Sequence, residues 1–229
     1  MEIRLGSLVR DAREAQGVVL IIDVFRAFTT AAIAFNNGAK RIVLVAEIDE
    51  ARALKEQGYG DILMGEVDGK RPEGFDFGNS PYEVSTADFT NKSIIQSTRA
   101  GTVGAAAATQ ADSIYVTSFA IADATVTAVL SENPQLVSII AMGDQGKVRS
   151  DEDEQCGIYL RNRLEGRNPD HDSVRNLILT GGATQKFFDD NLTHYHPKDV
   201  ELALQINRFP FAIKVSREQG VLVAQRLDV

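Results

Sequence analysis

Residues 20–30 read LIIDVFRAFTT, and the predicted fold can be built outward from this segment. The apolar run over 18–22 shows no polar alternation, which is typical of a strand buried on both faces of a parallel sheet. An alanine-rich helix is predicted at 27–35, directly after it. Asp23 and Arg26 therefore stand at the carboxyl end of a buried strand, where open α/β sheets bind their ligands.

Two interpretations of Asp23 and Arg26 are open at this point. The pair could carry out chemistry, because the N-terminus of the following helix supplies unpaired N–H groups and a partial positive charge. Alternatively, Asp23 only caps that helix and Arg26 pairs with a surface carboxylate. Further motifs in the sequence are needed to distinguish the two interpretations.

The composition is that of an ordinary soluble globular chain. Its 229 residues are 44% hydrophobic and 24% charged, enough to bury a substantial core in one domain or two small lobes. The formal charge of -8 disfavours a general nucleic-acid-binding surface and a membrane-surface role. No signal-peptide pattern and no apolar span of roughly 20 residues is present, so we expect a cytoplasmic protein without membrane contact.

Several kinds of chemistry are disfavoured by what the sequence lacks. Cys156 is the single cysteine, which rules out an intramolecular disulfide, and the three histidines lack a metalloprotease spacing. There is no Walker-type phosphate loop, no Gly-x-Gly-x-x-Gly fingerprint and no Gly-x-Ser-x-Gly elbow. Nucleotide kinases, dehydrogenases and α/β-hydrolases therefore lose support.

Strand and helix patterns alternate along most of the chain. Between residues 18 and 64 the order is strand, helix, strand, helix, strand, which argues for parallel β-α units with right-handed crossovers. Further strands are predicted at 93–96, 113–117, 136–142, 211–215 and 221–224, and further helices at 105–108, 120–130, 155–164 and 197–207. The predicted fold class is α/β, with a mixed, mainly parallel sheet flanked by helices, in one domain over 1–229 or two intimately packed lobes.

A long loop over 65–81 interrupts this alternation, and loops of that length in compact domains are usually functional or disordered. Phe75 and Phe77 argue against disorder, because their rings would anchor the segment to the core. Glu66 and Asp76 place hard oxygen donors at the two ends of the loop. At its close, Ser80 is predicted to cap a short helix.

A second turn of the same kind follows the predicted strand at 93–96. Residues 97–102 read STRAGT, and hydroxyls, an arginine and a glycine are what a phosphate or sulfonate site requires. A plain helix cap and tight turn is the alternative. Because both strand-end turns carry an arginine, an anion site is the better interpretation of the two together.

An acidic run at 151–154 precedes the helix predicted at 155–164. Most of these acids are expected to complement the helix dipole, with one or two available as metal ligands. Together with the carboxylates at 23, 66 and 76, they offer oxygen-only donors, which suit Mg²⁺. The sequence thus indicates an anion held near a divalent ion.

In combination, five motifs resemble the 2-phosphosulfolactate phosphatase (ComB) family: IIDVFRAFTT at 21–30, GE at 65–66, FDFGNSP at 75–81, STRAGT at 97–102, and the region of Glu152 and Asp153. The resemblance runs from about Val18 to the C-terminal helix. It implies a Mg²⁺-dependent acid phosphatase with a ComB-like α/β architecture. The implied reaction converts 2-phospho-3-sulfolactate to 3-sulfolactate and phosphate, in coenzyme M biosynthesis.

Carried over residue by residue, the resemblance implies a set of site residues. The implied catalytic residues are Asp23, Arg26 and Arg99, with the two arginines as anion clamps. The implied metal ligands are Asp23, Glu66, Asp76 and, more weakly, Glu152 or Asp153. The implied substrate-binding residues are Thr29, Thr30, Asn79, Ser80, Ser97, Thr98 and Thr102.

The expected partner is a small anionic phosphorylated substrate, without nucleic acid or membrane, and a homodimer is left open. Which arginine binds phosphate and which sulfonate is also open, as is direct attack by water against a phosphoaspartyl intermediate at Asp23. A phosphatase for another small phosphorylated acid, a metal-dependent lyase or isomerase, and a non-catalytic anion-binding module are the rival functions.

Overall fold

The structure, a computed structural model, describes residues 1–229 and contains nine strands and nine α-helices. The strands are β1 (Glu2–Ser7), β2 (Gly17–Ile22), β3 (Arg41–Val45), β4 (Ile62–Gly65), β5 (Ser93–Ser97), β6 (Ala111–Thr117), β7 (Leu136–Ala141), β8 (Phe211–Glu218) and β9 (Val221–Asp228). The helices are α1 (Leu8–Glu14), α2 (Ala27–Asn36), α3 (Ile48–Glu56), α4 (Pro81–Val84), α5 (Gly101–Ala107), α6 (Ala122–Ser131), α7 (Asp151–Leu164), α8 (His171–Thr180) and α9 (Pro197–Ala203). Two short 3₁₀ helices lie at Phe119–Ile121 and Gln185–Phe188.

All nine strands form one sheet in the order β1-β7-β2-β6-β8-β9-β3-β5-β4. The strands β1, β7, β2 and β6 make one parallel block, and β3, β5 and β4 make a second. The hairpin β8-β9 joins the blocks through three antiparallel ladders, so the two blocks run in opposite directions. The predicted α/β class with a mixed, mainly parallel sheet is confirmed.

The carboxyl ends of the two blocks nevertheless meet. In a flat sheet, the five strand spacings between β2 and β5 would separate them by roughly 24 Å. Instead, the backbone N–H of Gly101, just after β5, donates to the Asp23 carboxylate at 2.8 Å. The Gln96 side chain likewise donates to the Ala27 carbonyl at 3.0 Å. The sheet therefore curves enough to bring the ends of its two blocks to one place.

Apolar side chains cover both faces of the central strands. In β2, Val19 and Ile21 belong to the largest core cluster, whereas Leu20 and Ile22 belong to a second one on the other face. A third cluster packs α3 against β3 and β5. The expectation that the strand before Asp23 is buried on both faces is thus confirmed.

The structure differs from the sequence-based prediction at several helix ends. Helix α1, a short helix in which only Ala12 is buried, is not among the predicted helices. Helix α7 begins at Asp151, so the acidic run forms its first turn, and helix α5 begins at Gly101. The C-terminal helix α9 ends at Ala203, four residues early. The single domain over 1–229 and its two-lobe alternative stay predictions.

None of these helices combines the length and apolar character needed to span a bilayer.

Candidate active site

A polar cleft opens where the carboxyl ends of β2, β4, β5 and β7 meet. Its cavity volume is about 140 Å³. The charged and amide side chains that line it are Asp23, Arg26, Glu66, Asp68, Asn79, Arg99, Asp144, Gln145 and Lys186. Four carboxylates therefore face three cations, and such a mixture suits an anionic ligand bound together with a cation.

Asp23 is buried at the base of the cleft, with 5% of its surface exposed. One carboxylate oxygen accepts the N–H of Ala27 at 2.9 Å, and the other accepts that of Gly101 at 2.8 Å. Burial raises the pKa of Asp23 to about 6, against the opposing effect of these two hydrogen bonds. Asp23 thus caps two helices. With this pKa it can also exchange a proton near neutral pH, and a role for it in the reaction stays a prediction.

The close approach of α5 to Asp23 depends on glycine. A Cβ atom at position 101 would lie 2.8 Å from the nearer Asp23 carboxylate oxygen and 2.9 Å from the Phe28 ring. Any larger residue would push the two strand ends apart. The glycine of the predicted anion turn therefore serves contact between the two sheet blocks.

Glu66 lines the opposite wall, and its carboxylate also bridges two backbone donors. It accepts the N–H of Arg99 at 2.7 Å and that of Gly69 at 2.8 Å. These bonds fix the start of the 65–81 loop to the turn after β5. Glu66 and Asp23 lie near enough that the charge of Glu66 contributes to the raised pKa of Asp23.

Two further acids extend from the first turn of α7. Asp153 is buried and accepts the N–H groups of Val24 at 2.7 Å and Gly143 at 2.8 Å, which ties the turns after β2 and β7 together. Glu152 lines an adjoining pocket, and its buried Oε2 atom has no hydrogen-bond partner. Burial raises the pKa of Glu152 to about 7, and the charge of Asp23 adds to the rise.

Arg26 lines the cleft, but its guanidinium is largely committed to the protein. It donates to the carbonyls of His194 and Gly69, both at 2.9 Å, and to the buried carboxylate of Asp199 at 3.1 Å. Asp199 in turn accepts the Ser80 hydroxyl at 2.6 Å. Arg26 thereby joins the 65–81 loop to the segment before α9.

Arg99 is the more accessible arginine. Its side chain is 38% exposed, and its ion-pair partner Glu47, at 3.5 Å, is itself 69% exposed. Exposed pairs of this kind contribute little and exchange easily. The guanidinium of Arg99 is therefore available to a ligand in the cleft.

Of the seven residues implied as substrate ligands, only Asn79 lines the cleft. It is buried, and its Oδ1 atom has no hydrogen-bond partner. The other six lie outside the lining set, and five of their hydroxyls bond within the protein: Thr29 to Val24, Thr30 to Arg26, Thr98 and Thr102 to each other, and Ser80 to Asp199. Ser97 is buried at the end of β5. Short hydroxyls satisfy nearby backbone groups readily, which explains why these side chains bond within the protein; their role as substrate ligands stays a prediction.

Asp76, implied as a metal ligand, lies apart from the other acids. Its carboxylate accepts the Lys55 ammonium at 2.7 Å and the N–H of Leu63 at 2.8 Å, and it does not line the cleft. Lys186, on the second 3₁₀ helix, does line the cleft, although no sequence pattern indicated it. It lies in a polar stretch far along the chain from every motif.

The cleft contains oxygen donors of the type that Mg²⁺ prefers. Asp23, Glu66 and the unpartnered Oδ1 of Asn79 are hard oxygen donors. No three acidic, histidine or cysteine side chains form a ready-made metal cage. Mg²⁺ usually takes only one or two carboxylates and completes its shell with water and substrate phosphate oxygens, so the fit does not require such a cage.

Comparison with known proteins places the chain in a family. A family model described as 2-phosphosulpholactate phosphatase matches residues 6–216. A Bacillus subtilis (strain 168) protein named probable 2-phosphosulfolactate phosphatase is 34% identical over 213 residues, covering 92% of each chain. A Prochlorococcus marinus protein of the same name is 34% identical over 224 residues, covering 89% of this chain and 90% of its own. This chain therefore belongs to the 2-phosphosulfolactate phosphatase family, a family of phosphoric monoester hydrolases.

Proposed function

We propose that this protein is a Mg²⁺-dependent phosphatase that hydrolyses 2-phospho-3-sulfolactate to 3-sulfolactate and phosphate. The substrate is suggested by the names of its relatives. The structural observation that supports the proposal is Asp23, a buried carboxylate with a pKa of about 6 in a cleft that also contains Arg99 and the unpartnered amide of Asn79.

The charge of the cleft supports a requirement for a divalent cation. The substrate carries a phosphate, a sulfonate and a carboxylate, whereas four carboxylates outnumber three cations in the lining. Those carboxylates would repel the substrate unless a further cation intervened. Asp23, Glu66 and Asn79 are the residues that would hold Mg²⁺. When bound, the ion would polarise the phosphoryl group and neutralise its charge.

Arg99 and Asp23 bind the phosphoryl group and accept the proton, respectively. Arg99 orients and stabilises the phosphoryl oxygens, because its guanidinium can form paired hydrogen bonds to an oxyanion. Asp23 accepts a proton from the attacking water, a role suited to a carboxylate buried at the base of the cleft. Its two backbone hydrogen bonds fix the plane of the carboxylate for that transfer.

Attack by Asp23 on phosphorus, through a phosphoaspartyl intermediate, is the alternative to attack by water. Hydrolysis of a substrate made chiral at phosphorus separates them. Direct attack by water is a single displacement and inverts the configuration at phosphorus. A phosphoaspartyl route breaks the substrate ester bond in one displacement and the P–O bond to Asp23 in a second, so the configuration is retained in the released phosphate.

The proposal is tested by measuring phosphate release from 2-phosphosulfolactate and other small phosphorylated acids, with Mg²⁺ or with EDTA. We expect the highest kcat/KM with 2-phosphosulfolactate, loss of turnover in EDTA and recovery on addition of Mg²⁺ or Mn²⁺. A markedly higher kcat/KM for another phosphorylated acid would favour the alternative substrate. Full turnover in a verified metal-free preparation would disprove the metal requirement.

A further inference from the structure

Lys186 is the one cation of the cleft lining that has no acceptor in the protein. Arg26 donates to two carbonyls and a carboxylate, and Arg99 pairs with Glu47. Lys186 forms no ion pair and donates no hydrogen bond, and its only close partners are aromatic rings. A half-buried ammonium without a partner, in a cleft built for an anion, is the group most available to a ligand.

The position of Lys186 is fixed by its neighbours. The next residue, Phe187, is buried and packs edge-on against Phe25, with ring centroids 5.2 Å apart, and against Tyr195 at 5.1 Å. Phe25 lies between Asp23 and Arg26 in the turn after β2. The backbone that carries Lys186 is therefore packed directly against the turn that carries Asp23.

The electrostatic surroundings of Lys186 place its charge close to two of the acids. Its charge lowers the pKa values of both Asp23 and Glu152, against their rise through burial. Lys186 lines the cleft and also the adjoining pocket that Glu152 faces. No carboxylate oxygen lies within ion-pair distance, so the ammonium lies among the acids without being neutralised by any one of them.

We propose that the Lys186 ammonium binds the transferring phosphoryl group. The inference rests on the proposed phosphatase function and adds a catalytic residue to it. Lysine is a compact point charge with three donors, which suits phosphate oxygens. Because negative charge on those oxygens is redistributed in the transition state, the loss of Lys186 should affect kcat more than a remote binding contact would.

A structural role in aromatic packing is the competing explanation. The Lys186 ammonium lies 5.1 Å from the Tyr195 ring centroid, a geometry that stabilises proteins on its own. Lys198 provides a matched control, because it lies 4.6 Å from the Tyr82 ring centroid and does not line the cleft. The variants Lys186→Met and Lys198→Met should therefore lose similar cation–π contacts, but only the first should lose an anion ligand.

The first test measures binding of inorganic phosphate by calorimetry in the presence of Mg²⁺. We expect Lys186→Met to bind phosphate at least about 10-fold more weakly than wild type, and Lys198→Met to bind it normally. Lys186→Arg keeps the charge and should recover part of the affinity. Equal phosphate affinity in Lys186→Met and Lys198→Met, with both variants folded, would overturn the proposal, as would a wild type that binds no phosphate.

The second test compares kinetics on 2-phosphosulfolactate. We expect kcat to fall on the order of 100-fold in Lys186→Met, with partial rescue in Lys186→Arg and no change in Lys198→Met. A normal kcat in Lys186→Met would contradict the proposal that Lys186 binds the transferring phosphoryl group. If the wild type binds phosphate through Lys186 but does not turn over 2-phosphosulfolactate, the proposed substrate is wrong and the Lys186 assignment stands.

Discussion

Three carboxylates around the cleft share one arrangement, in which each oxygen accepts one backbone N–H. Asp23, Glu66 and Asp153 each bridge two such donors. An amide offers only one acceptor oxygen, so an Asn or Gln replacement leaves one N–H without a partner. These acids consequently hold the strand ends together as well as supplying charge.

Asp153→Asn is therefore expected to destabilise the fold. The variant orphans the N–H of Val24 or Gly143, at a cost of about 1–3 kcal/mol. Part of this cost is offset because asparagine has no charge to bury. Burial and the charges of Glu152 and Asp23 raise the pKa of Asp153, so its ionised form destabilises the fold. Urea denaturation at pH 5, where that offset is smallest, checks the prediction, and wild-type stability there would contradict it.

Glu152→Gln is expected to stabilise the fold at high pH. Folding raises the pKa of Glu152 from 4.5 to about 7, so protonation of this carboxyl stabilises the folded state relative to the unfolded state. That contribution is fully present below pH 4.5 and is lost as the pH rises through 7. The neutral glutamine avoids that loss, so the variant should gain stability over wild type at pH 8, by at most ~3 kcal/mol, and little at pH 5. Denaturation in EDTA at both pH values measures this, and a pH-independent difference would refute it.

At the residue scale, strand-end position was enough to predict that Asp23 and Arg99 lie at the end of the sheet where the cleft opens. Sequence could not show that Arg26 pairs with Asp199, because 173 residues separate them. Sequence could not show that most of the predicted hydroxyl ligands bond within the protein, because a threonine that caps a turn and one that binds phosphate look alike in sequence. Lys186 belongs to no motif, and only the packing of Phe187 on Phe25 brings it to the cleft.

At the element scale, Arg26 organises the loop over 65–81 and the segment before α9. Its guanidinium bonds to Gly69 in the loop, to His194 in the segment and to Asp199 in α9 itself, and Asp199 also accepts the Ser80 hydroxyl at the start of α4. The loop that carries Glu66 and Asn79 is thus fixed from its far side. We therefore expect Arg26 to act as a positioning residue for the cleft.

Arg26→Lys and Arg99→Lys should therefore differ. Lysine cannot reach three acceptors at once, so Arg26→Lys is expected to lose about 1–3 kcal/mol of stability together with activity. Arg99→Lys, at an exposed pair, should keep wild-type stability and lose activity only. Thermal unfolding and kinetics on 2-phosphosulfolactate and phospholactate check this. Equal stability losses in the two variants would contradict the distinction.

Helix and strand identities were mostly predictable at this scale, because buried strands and capped helices have strong local patterns. Helix α1 was missed since it buries a single residue and shows almost no apolar stripe. The predicted start of α7, at residue 155, is four residues too late. Four consecutive acids are a weak helix pattern on their own, although in the structure they form the first turn and complement the helix dipole.

At the scale of the whole molecule, the candidate active-site cleft exists because the two oppositely directed sheet blocks meet at their carboxyl ends. The alternation of strands and helices predicted parallel units, but not their order in the sheet. The hairpin β8-β9 comes last in sequence and yet lies between the blocks, so no local pattern could indicate it. The resemblance implied site residues on both blocks without showing how the blocks meet.

Divalent ions should stabilise the molecule as a whole. Asp23 and Glu66 bring two carboxylates to one cleft from different blocks, and their repulsion contributes to the raised pKa of Asp23. Mg²⁺ between them would remove that repulsion and link the blocks. We expect Mg²⁺ to raise the Tm of the wild type in a concentration-dependent way and to raise that of Asp23→Asn less. An identical Mg²⁺ response in both proteins would argue against a site at Asp23.

The most direct test of the account compares three carboxylate variants by kcat/KM for phosphate release from 2-phosphosulfolactate at saturating Mg²⁺. Asp23→Asn and Glu66→Gln remove acids from the two blocks where they meet, and Asp76→Asn removes one outside the cleft. With folding verified by circular dichroism, we predict losses on the order of 100-fold or more for the first two and less than about 3-fold for the third. Near-normal activity in Asp23→Asn, or an equal loss in Asp76→Asn, would contradict the claim that catalysis occurs in this cleft.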